Sequence, residues 1–432
     1  MHNRPHGRRL GSIIGMPDIA TGMFPPTQAL SIANPSRLQD PPLTRRGPVV
    51  HYPRLDGSGM PQKGANPMSI DAGLYERTFR SRTPGSAEDN LFSSDSHVIE
   101  PPDTVSSRVP KAFRDQAPRF PELKVGEGFQ THPGGSDPHR RIHEMAGDGV
   151  SAEVLYPTHA LGLFAMENPA LQEACCRAYN DWLIEYCGVS LDRLVGIPMI
   201  ATYDTRHAAR ELERCAKAGL RGALIWRVPP REIPFTSDHY DPFWAAAQEL
   251  EMPVSLHILS GFGYARSRLD RKGVERYRAS VNLKLAEATD SLMDVIFSGV
   301  LERFARLKVV LVENEIGWIP YVLEQWDYYF GRHNPVAPLT IDKRPSEYFD
   351  RQVYATFFND AVGARLLSWW GVDNCMWSND YPHANSTWPH SREVVARDLG
   401  YLPPESRAKL VRENVARLYR MPIPEPLTAP KA

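Results

Sequence analysis

The sequence has few cysteines, and their positions limit the kinds of site that they could form. Its 432 residues include five cysteines, an odd number, and no two of them are spaced as a CxxC pair. Four of the five lie within helical patterns, which is not the arrangement of a disulfide framework. Reduced thiols in a cytoplasmic protein fit this usage better than disulfides do.

Long apolar runs and an excess of charge of one sign are also missing. No run approaches the roughly 18 consecutive apolar residues that a membrane helix needs. The 50 Lys and Arg residues nearly equal the 51 Asp and Glu residues, and the formal net charge is -1. This balance gives no support for a nucleic-acid partner or a membrane-surface partner, so neither is expected.

The first 90 residues lack any sustained period of 2 or 3.6. They contain 12 Pro and 10 Gly, and such a stretch cannot bury enough apolar surface to offset the entropy of ordering it. Arg4, Arg8 and Arg9 faintly resemble part of a targeting peptide, but no clear apolar segment follows them. We therefore predict an irregular N-terminal arm over residues 1–90, which wraps a neighbouring subunit if it is ordered.

From residue 91 onward, short apolar runs alternate with amphipathic helices, as in parallel α/β folds. Several runs are apolar almost throughout, which is expected of strands that are covered on both faces. The eight predicted strands are Leu91–His97, Ala152–Pro157, Leu194–Ala201, Gly222–Trp226, Pro253–Ile258, Lys308–Glu313, Val353–Phe358 and Cys375–Asp380.

The helices between these strands have clear start and stop signals. Asn168 and Asp204 are typical N-cap residues, Asp241 is followed by Pro242, and Gly400 is typical of a helix end. Eight β-then-α units predict a (β/α)8 TIM barrel with insertions over residues 91–425. The alternative is an open doubly wound sheet, but no GxGxxG follows the first strand, which removes the commonest reason to prefer it.

Polar side chains lie where three of the predicted strands end, which is where TIM barrels carry their chemistry. Asp95 and His97 stand two positions apart in the first strand, so both side chains leave the same face. His257 closes the fifth strand and Asp380 closes the eighth. Each residue alone could be a hydrogen-bonded structural group or a helix cap. Together they predict a divalent-cation site, for which imidazole and carboxylate favour Zn2+, Mn2+ or Fe2+.

Seven stretches resemble the amidohydrolase superfamily, specifically the branch that includes aminocarboxymuconate-semialdehyde decarboxylase. They are "DSHVIEPPD", "DGVSAEVLYPT", "AYNDWLIEYC", "RLVGIPMI", "PVSLHI", "LKVVLVENEIGWIPYVLE" and "WSNDYPH", and they span about residues 91–420. The resemblance implies a metal ion, most simply Zn2+, held by Asp95, His97, His257 and Asp380. It also implies that Asp380 moves protons on the activated water, and that the chain forms a homodimer or a higher homo-oligomer.

The sixth strand departs from the pattern of the decarboxylases in that branch. They usually carry a His at the start of an HGGG stretch, and counting back from Pro320 gives Asn314 at that position. The amide of Asn does not titrate near pH 7, so Asn314 can orient a water molecule but cannot shuttle a proton. The neighbouring Glu313 could act as a general base or as a ligand of a second metal ion, or it could pair with an arginine.

We therefore predict a metal-dependent hydrolase that directs an activated water at an ester, amide, lactone or thioester of a small organic acid. Asp380, Glu313 and His257 are its predicted catalytic residues, with one or two ions of Zn2+, Mn2+ or Fe2+ as cofactor. The alternative reaction is non-oxidative decarboxylation of an aromatic or unsaturated carboxylic acid on the same metal. A third possibility is an inactive ligand-binding barrel, which the intact set of four metal positions disfavours.

Further polar and aromatic residues are predicted to line the pocket. Arg227 follows the fourth strand and could clamp a substrate carboxylate bidentately, so the small-molecule substrate is expected to be anionic. The basic segment 261–278 is long for a βα loop and predicts a lid over the pocket, or otherwise a solvated helical turn. The remaining predicted substrate-binding residues are Asn314, Tyr156, His159, Trp388 and His383.

Overall fold

The structure, a computed structural model, describes residues 89–122, 132–261, 274 and 285–427. All of them belong to the compact unit Gly64–Ala432. Apart from residues 89 and 90, the predicted N-terminal arm lies outside the described residues, and so does almost all of the predicted lid over 261–278. Both features therefore stay predictions.

Eight short strands in the described part of the chain form the centre of the fold, and all their pairings are parallel. Every strand residue is buried, which explains why several of the sequence runs are apolar almost throughout. The strands are β1 Leu91–His97, β2 Val150–Tyr156, β3 Leu194–Gly196, β4 Ala223–Ile225, β5 Val254–His257, β6 Val309–Val312, β7 Val353–Phe357 and β8 Cys375–Trp377.

The strands neighbour one another in chain order. The first three form one sheet and β4 to β8 form a second, and a single parallel bridge between Met199 and Leu224 joins the two. On the other side, the backbone N–H of Asp380 donates to the Asp95 carbonyl at 3.0 Å, which links the segment after β8 to β1. This arrangement is consistent with the predicted (β/α)8 barrel, in which the carboxyl ends of the strands share one mouth.

Helices connect the strands, and their starts follow the predicted capping chemistry. Asn168 accepts a hydrogen bond from a backbone N–H at the start of one helix, and Asp204 does so at the start of the next. No helix among the described residues has both the length and the apolar character that crossing a bilayer requires. The α-helices within the described ranges are α1 Pro138–Asp148, α2 Pro169–Cys187, α3 Thr205–Lys217, α4 Asp241–Glu249, α5 Ala286–Phe297, α6 Val300–Arg303, α7 Ile319–His333, α8 Pro345–Gln352, α9 Ala361–Leu366, α10 Ser391–Leu399, α11 Pro404–Ala408 and α12 Asn414–Leu418.

One continuous hydrophobic core includes the strands and the inward faces of the helices. Helix α3 illustrates the rule, because its buried residues Ala208, Leu212 and Cys215 are spaced by four and three positions. That spacing forms one stripe along a helix of 3.6 residues per turn. The core fixes the strands, and the strands fix the positions of the polar residues at their carboxyl ends.

Two predicted strands end at least three residues earlier in the structure. Strand β3 ends at Gly196 and not at Ala201, because Pro198 has no N–H to donate to a ladder. Strand β8 ends at Trp377, and Asp380 already has a left-handed backbone with φ 55°. Helix α4 begins at Asp241, as predicted.

Candidate metal centre and active site

The carboxyl end of β1 carries the first two donors of the site. The side chains of Asp95 and His97 are fully buried, and His97 Nε2 lies 3.5 Å from Asp95 Oδ1. The predicted geometry is confirmed, because two residues of one strand that are two positions apart leave the same face.

His257, the last residue of β5, faces this pair. Its Nε2 atom lies 3.3 Å from His97 Nε2 and 3.7 Å from Asp95 Oδ1. Each imidazole uses Nδ1 on a backbone carbonyl, His97 on Pro157 at 2.9 Å and His257 on Ile258 at 2.7 Å. A carbonyl only accepts, so in each neutral ring Nδ1 carries the proton and Nε2 presents a lone pair. The two lone pairs and the Asp95 carboxylate thus converge on one small region.

A divalent cation fits this donor set. Among the described residues, neither carboxylate oxygen of the buried Asp95 has a hydrogen-bond partner, and a buried carboxylate without compensation is costly. Glu313 adds a fourth donor, with its Oε2 atom 3.8 Å from His257 Nε2. The donor atoms of Asp95, His97, His257 and Glu313 all lie within 4.8 Å of one another. Two imidazoles and two carboxylates form a site for Zn2+, Mn2+ or Fe2+.

Asp380 lies beside this group and forms a second cluster with His97 and His383. Its Oδ1 atom is 3.4 Å from His97 Nε2 and 2.9 Å from His383 Nδ1. Because His97 belongs to both clusters, Asp380 adjoins the donor cluster, and its predicted role as a metal ligand stays a prediction. The structure differs from the prediction in grouping Glu313, and not Asp380, with Asp95 and His257.

The electrostatics of the site favour neutral imidazoles. Burial lowers the pKa of His97 well below its usual range, and the imidazoles of His383 and His257 act in the same direction. Burial also lowers the pKa of His383, against the opposing effect of nearby carboxylates, first that of Glu313. A neutral imidazole is the form that binds a metal ion.

His383 lies directly beside the donor cluster. Its ring stacks on that of His97 with 4.0 Å between centroids, and its Nε2 atom is 3.2 Å from Thr158 Oγ1. The loop that carries Thr158 is held by the buried Glu100, whose carboxylate accepts three backbone N–H groups, from residues 158, 159 and 160, at 2.9–3.1 Å. Burial raises the pKa of Glu100 to about 7.

A buried ion pair between Arg141 and Glu153 lies beside the junction of β1 with the segment after β8. The sequence analysis did not predict it. Arg141 Nε donates to Glu153 in β2, and Arg141 Nη1 donates to the His97 carbonyl at 2.6 Å. Glu153 Oε1 also accepts a bond from Asn379 Nδ2 at 3.3 Å, and Asn379 Oδ1 accepts from Ser93 Oγ at 2.9 Å. The signal was present, because a lone Glu within the apolar run "SAEVLY" requires a buried cationic partner.

Arg227 lies at the mouth near the sixth strand, but its guanidinium already has protein partners. Its Nη1 atom donates to Asn314 Oδ1 at 2.7 Å, and its Nη2 atom lies 2.9 Å from Glu287 Oε2. Asn314 in turn donates to the Val312 carbonyl at 2.7 Å. The predicted roles of Arg227 as a carboxylate clamp and Asn314 as a water-orienting group stay predictions.

The other predicted pocket residues lie in different surroundings. Tyr156 is fully buried, and its hydroxyl makes hydrogen bonds with the Ser255 and Tyr419 hydroxyls at 2.9 and 3.2 Å. Ser255 lies two residues before His257 in β5. This position gives no support to a substrate contact by the Tyr156 hydroxyl. His159 is partly buried and stacks on Phe120 with 5.9 Å between centroids.

Trp388 lies in the loop after β8. It packs on Tyr381 and on His132, with ring centroids 5.3 and 4.3 Å apart. Tyr381 directly follows Asp380, so Trp388 contacts the chain neighbour of Asp380. Its predicted role as an apolar wall of the pocket stays a prediction.

Curated relatives correct the predicted reaction. The chain is 26% identical over 260 residues to a gamma-resorcylate decarboxylase of Rhodococcus jostii (strain RHA1), which covers 57% of this chain and 76% of that relative. The prediction of a hydrolase is wrong, because the relatives that this sequence matches are decarboxylases. Its physical premise was too narrow. A proton-transferring group need not lie on the sixth strand, since a carboxylate and an imidazole, those of Asp380 and His383, also meet after β8.

Solved structures agree in fold. The 5-carboxyvanillate decarboxylase LigW from Sphingomonas paucimobilis aligns with a TM-score of 0.59 at 22% identity, over 77% of this chain and 99% of that one. A dihydroxybenzoic acid decarboxylase from Polaromonas sp. JS666 aligns with a TM-score of 0.57 at 20% identity, over 78% and 98% of the two chains, and it holds manganese and 2-nitroresorcinol. The donor cluster together with this neighbour supports a divalent metal, but not Zn2+ as the first choice.

The family follows from the sequence as a whole. A family model described as amidohydrolase matches residues 95–421, which begins at the first metal donor and includes all the strand ends described above. This match agrees with the motifs that run from "DSHVIEPPD" to "WSNDYPH". The chain belongs to the amidohydrolase family.

Proposed function

We propose that this protein is a metal-dependent, non-oxidative decarboxylase of a small aromatic carboxylic acid. One observation carries the proposal: the buried donors of Asp95, His97 and His257 adjoin the Asp380–His383 pair in a chain whose curated relatives are gamma-resorcylate decarboxylases. A hydroxybenzoic acid is the proposed substrate class, since ring hydroxyl groups donate electron density to the carbon that must be protonated.

The proposed cofactor is Mn2+, held by Asp95, His97, His257 and Asp380, with Glu313 as the additional donor. When bound, such an ion supplies Lewis-acid charge that orients the substrate oxygens and stabilises negative charge on them. Manganese is proposed before zinc because a solved dihydroxybenzoic acid decarboxylase of the same fold holds it, and because carboxylate-rich sites suit Mn2+.

The protein's own residues must supply a proton to carbon. In the proposed reaction, Asp380 gives a proton to the ring carbon that bears the carboxylate. The bond from that carbon to the carboxylate then breaks, its electron pair restores the aromatic ring, and CO2 leaves. His383, whose Nδ1 atom is 2.9 Å from Asp380 Oδ1, is proposed to return a proton to Asp380 while its Nε2 atom takes one up, so that the ring ends neutral and solvent is the net source of the proton. The reaction needs no oxidant and no co-substrate.

Thr158 and Glu100 are proposed to hold His383 in this position. The Thr158 hydroxyl contacts His383 Nε2 at 3.2 Å, and Glu100 fixes the backbone of Thr158. Such support keeps the imidazole oriented toward Asp380, which proton transfer requires. Arg227 is proposed to attract the anionic substrate to the mouth.

The test is an assay of the purified full-length protein loaded with Mn2+. Gamma-resorcylate, 5-carboxyvanillate and related hydroxybenzoic acids are incubated with it, and a panel of esters, lactones and amides is incubated in parallel. We expect CO2 release from one or more of the acids. In D2O the product should contain one deuterium at the former carboxylate position. Hydrolysis of the second panel without any CO2 release would overturn the proposal, and Asp380→Asn serves as the matched inactive control.

A further inference from the structure

A cavity of about 480 Å³ lies at the opposite end of the strands from the metal centre. Its lining includes Met252 and Pro253, which precede β5, and Lys308, which precedes β6. His257 closes β5 at the other end, so the cavity is separate from the site described above. Its size is within the usual range for small-molecule pockets.

The walls of this cavity are strongly basic. Four cationic side chains line it, and one carboxylate, that of Glu251, accompanies them; the cations are Arg306, Lys308, Arg417 and Arg420. Arg420 Nη1 is 2.7 Å from Glu251 Oε2, and Arg306 pairs with Glu249. Both of these salt bridges are exposed to solvent, so the attraction between their partners is weak.

Lys308 and Arg417 have no such compensation. Lys308 Nζ donates to the Arg351 carbonyl at 2.6 Å, and Arg417 Nη2 donates to the Asp373 carbonyl at 2.9 Å. Within the described ranges, no carboxylate lies within salt-bridge distance of either side chain. Lys308 is half-buried, and this burial lowers its pKa, as does repulsion from Arg351 and Arg417. The protein thus gathers positive charge in a cavity and leaves it unbalanced.

An anion would remove this imbalance. Arg presents a planar fork of donors that matches carboxylate and phosphate oxygens, and Lys adds a point charge. We propose that the cavity binds a small oxyanion with two or more negative charges, carried by phosphate or carboxylate groups. Lys308 and Arg417 are its main contacts, and Arg306 and Arg420 are within the same lining. This site does not depend on the reaction proposed above.

The test measures anion binding by calorimetry and by thermal unfolding. The probes are inorganic phosphate and succinate, both dianions near pH 8, and the reference is NaCl at equal ionic strength. The full-length protein is used without free metal ion in the buffer. We expect at least one dianion to bind and to raise the unfolding temperature beyond the NaCl reference. A preference for phosphate or for succinate would identify which oxyanion group the cavity takes.

Charge-removing variants locate the binding. Lys308→Gln combined with Arg417→Gln should weaken binding at least about tenfold. The control combines Lys111→Gln with Arg114→Gln, which removes two exposed cations from the loop after β1 and should bind as the wild type does. If the double variant does not fold, Arg417→Gln alone is measured, because this side chain is exposed and its replacement should not affect folding. The proposal fails if neither dianion exceeds the NaCl reference, or if removing Lys308 and Arg417 leaves the affinity unchanged.

Discussion

The Asp380 carboxylate and the His383 imidazole lie 2.9 Å apart, Oδ1 to Nδ1, directly after β8. Asp380 also approaches His97 Nε2 at 3.4 Å, so this pair, which is proposed to carry the proton, adjoins the donors Asp95, His97 and His257. This relationship makes an Asn at position 314 compatible with decarboxylation.

Asp380→Asn should remove the proposed acid while leaving most of the metal donors intact. We expect kcat to fall about 10²–10⁴-fold, the usual contribution of a positioned acid or base, with a much smaller loss of bound metal. The measurements are CO2 release and metal content per chain. Asp373→Asn, at an exposed position before β8, is the control. Parallel losses of kcat and metal would make Asp380 a ligand only.

His383→Gln should lower kcat and leave the metal bound, because Gln can hydrogen-bond to Asp380 but cannot return a proton to it. We expect a loss of about 10²-fold or more and a change in the pH profile of kcat. His390→Gln, at an exposed His in the same loop, provides the comparison. A pH profile identical to that of the wild type would assign His383 a structural role.

Asp95→Asn should have opposite effects with and without metal. Without metal, the wild type buries a carboxylate that lacks hydrogen bonds in the described residues, so the neutral variant should be more stable by about 1–3 kcal/mol. With Mn2+ at 100 times its Kd, the wild type gains about 2.7 kcal/mol that the variant largely loses. Denaturant unfolding in both conditions tests this reversal, with Asp103→Asn as control. If the same protein, wild type or variant, is the more stable one both with and without Mn2+, Asp95 is not a ligand.

Arg141→Met should leave Glu153 as an unpaired buried charge. Breaking such a pair costs about 3–5 kcal/mol, and Mn2+ affinity should fall about 10–100-fold because Arg141 also holds the His97 carbonyl. Adding Glu153→Gln to Arg141→Met should restore part of the free energy of unfolding. If the double variant is as unstable as the sum of the single variants, the two residues are not coupled.

Glu100 should make stability depend on pH. Burial raises its pKa from 4.5 to about 7, so the folded state holds the proton more tightly than the unfolded state. Its contribution is complete below pH 4.5 and is lost as the pH rises to about 7, a change of about 3 kcal/mol. Glu100→Gln cannot titrate, so its free energy of unfolding should vary less between pH 4.5 and 7. Glu122→Gln should behave as the wild type does, and a Glu100→Gln curve parallel to the wild type would contradict the pKa.

The sequence alone predicted much of the fold and three residues of the donor cluster. Strand β1 has the predicted bounds, Leu91–His97, because the apolar step at Leu91 and Phe92 marks its start and the Pro pair at 101 and 102 follows soon after its end. Strand ends identified the donors Asp95, His97 and His257, since the periodicity of a strand fixes which side chains share a face.

The supporting residues could not be assigned in the same way. Arg141 contacts the carbonyls of His97, 44 positions away, and of Tyr381, 240 positions away. Such contacts depend on how distant elements pack, and no local pattern encodes them. The reaction was mispredicted for the same reason. Asn314 was weighed alone, whereas the proximity of Asp380 and His383 to the metal donors appears only in three dimensions.

The seam between the first and last strands has a consequence for how the protein is made. Asp95 and His97 are synthesised early, whereas Asp380 emerges from the ribosome only after the other seven strands. The Asp380–His383 pair therefore cannot join the donor cluster of Asp95, His97, His257 and Glu313 until nearly the whole domain has been translated. A chain truncated before β8 would retain His97 and His257 but could not form the completed centre.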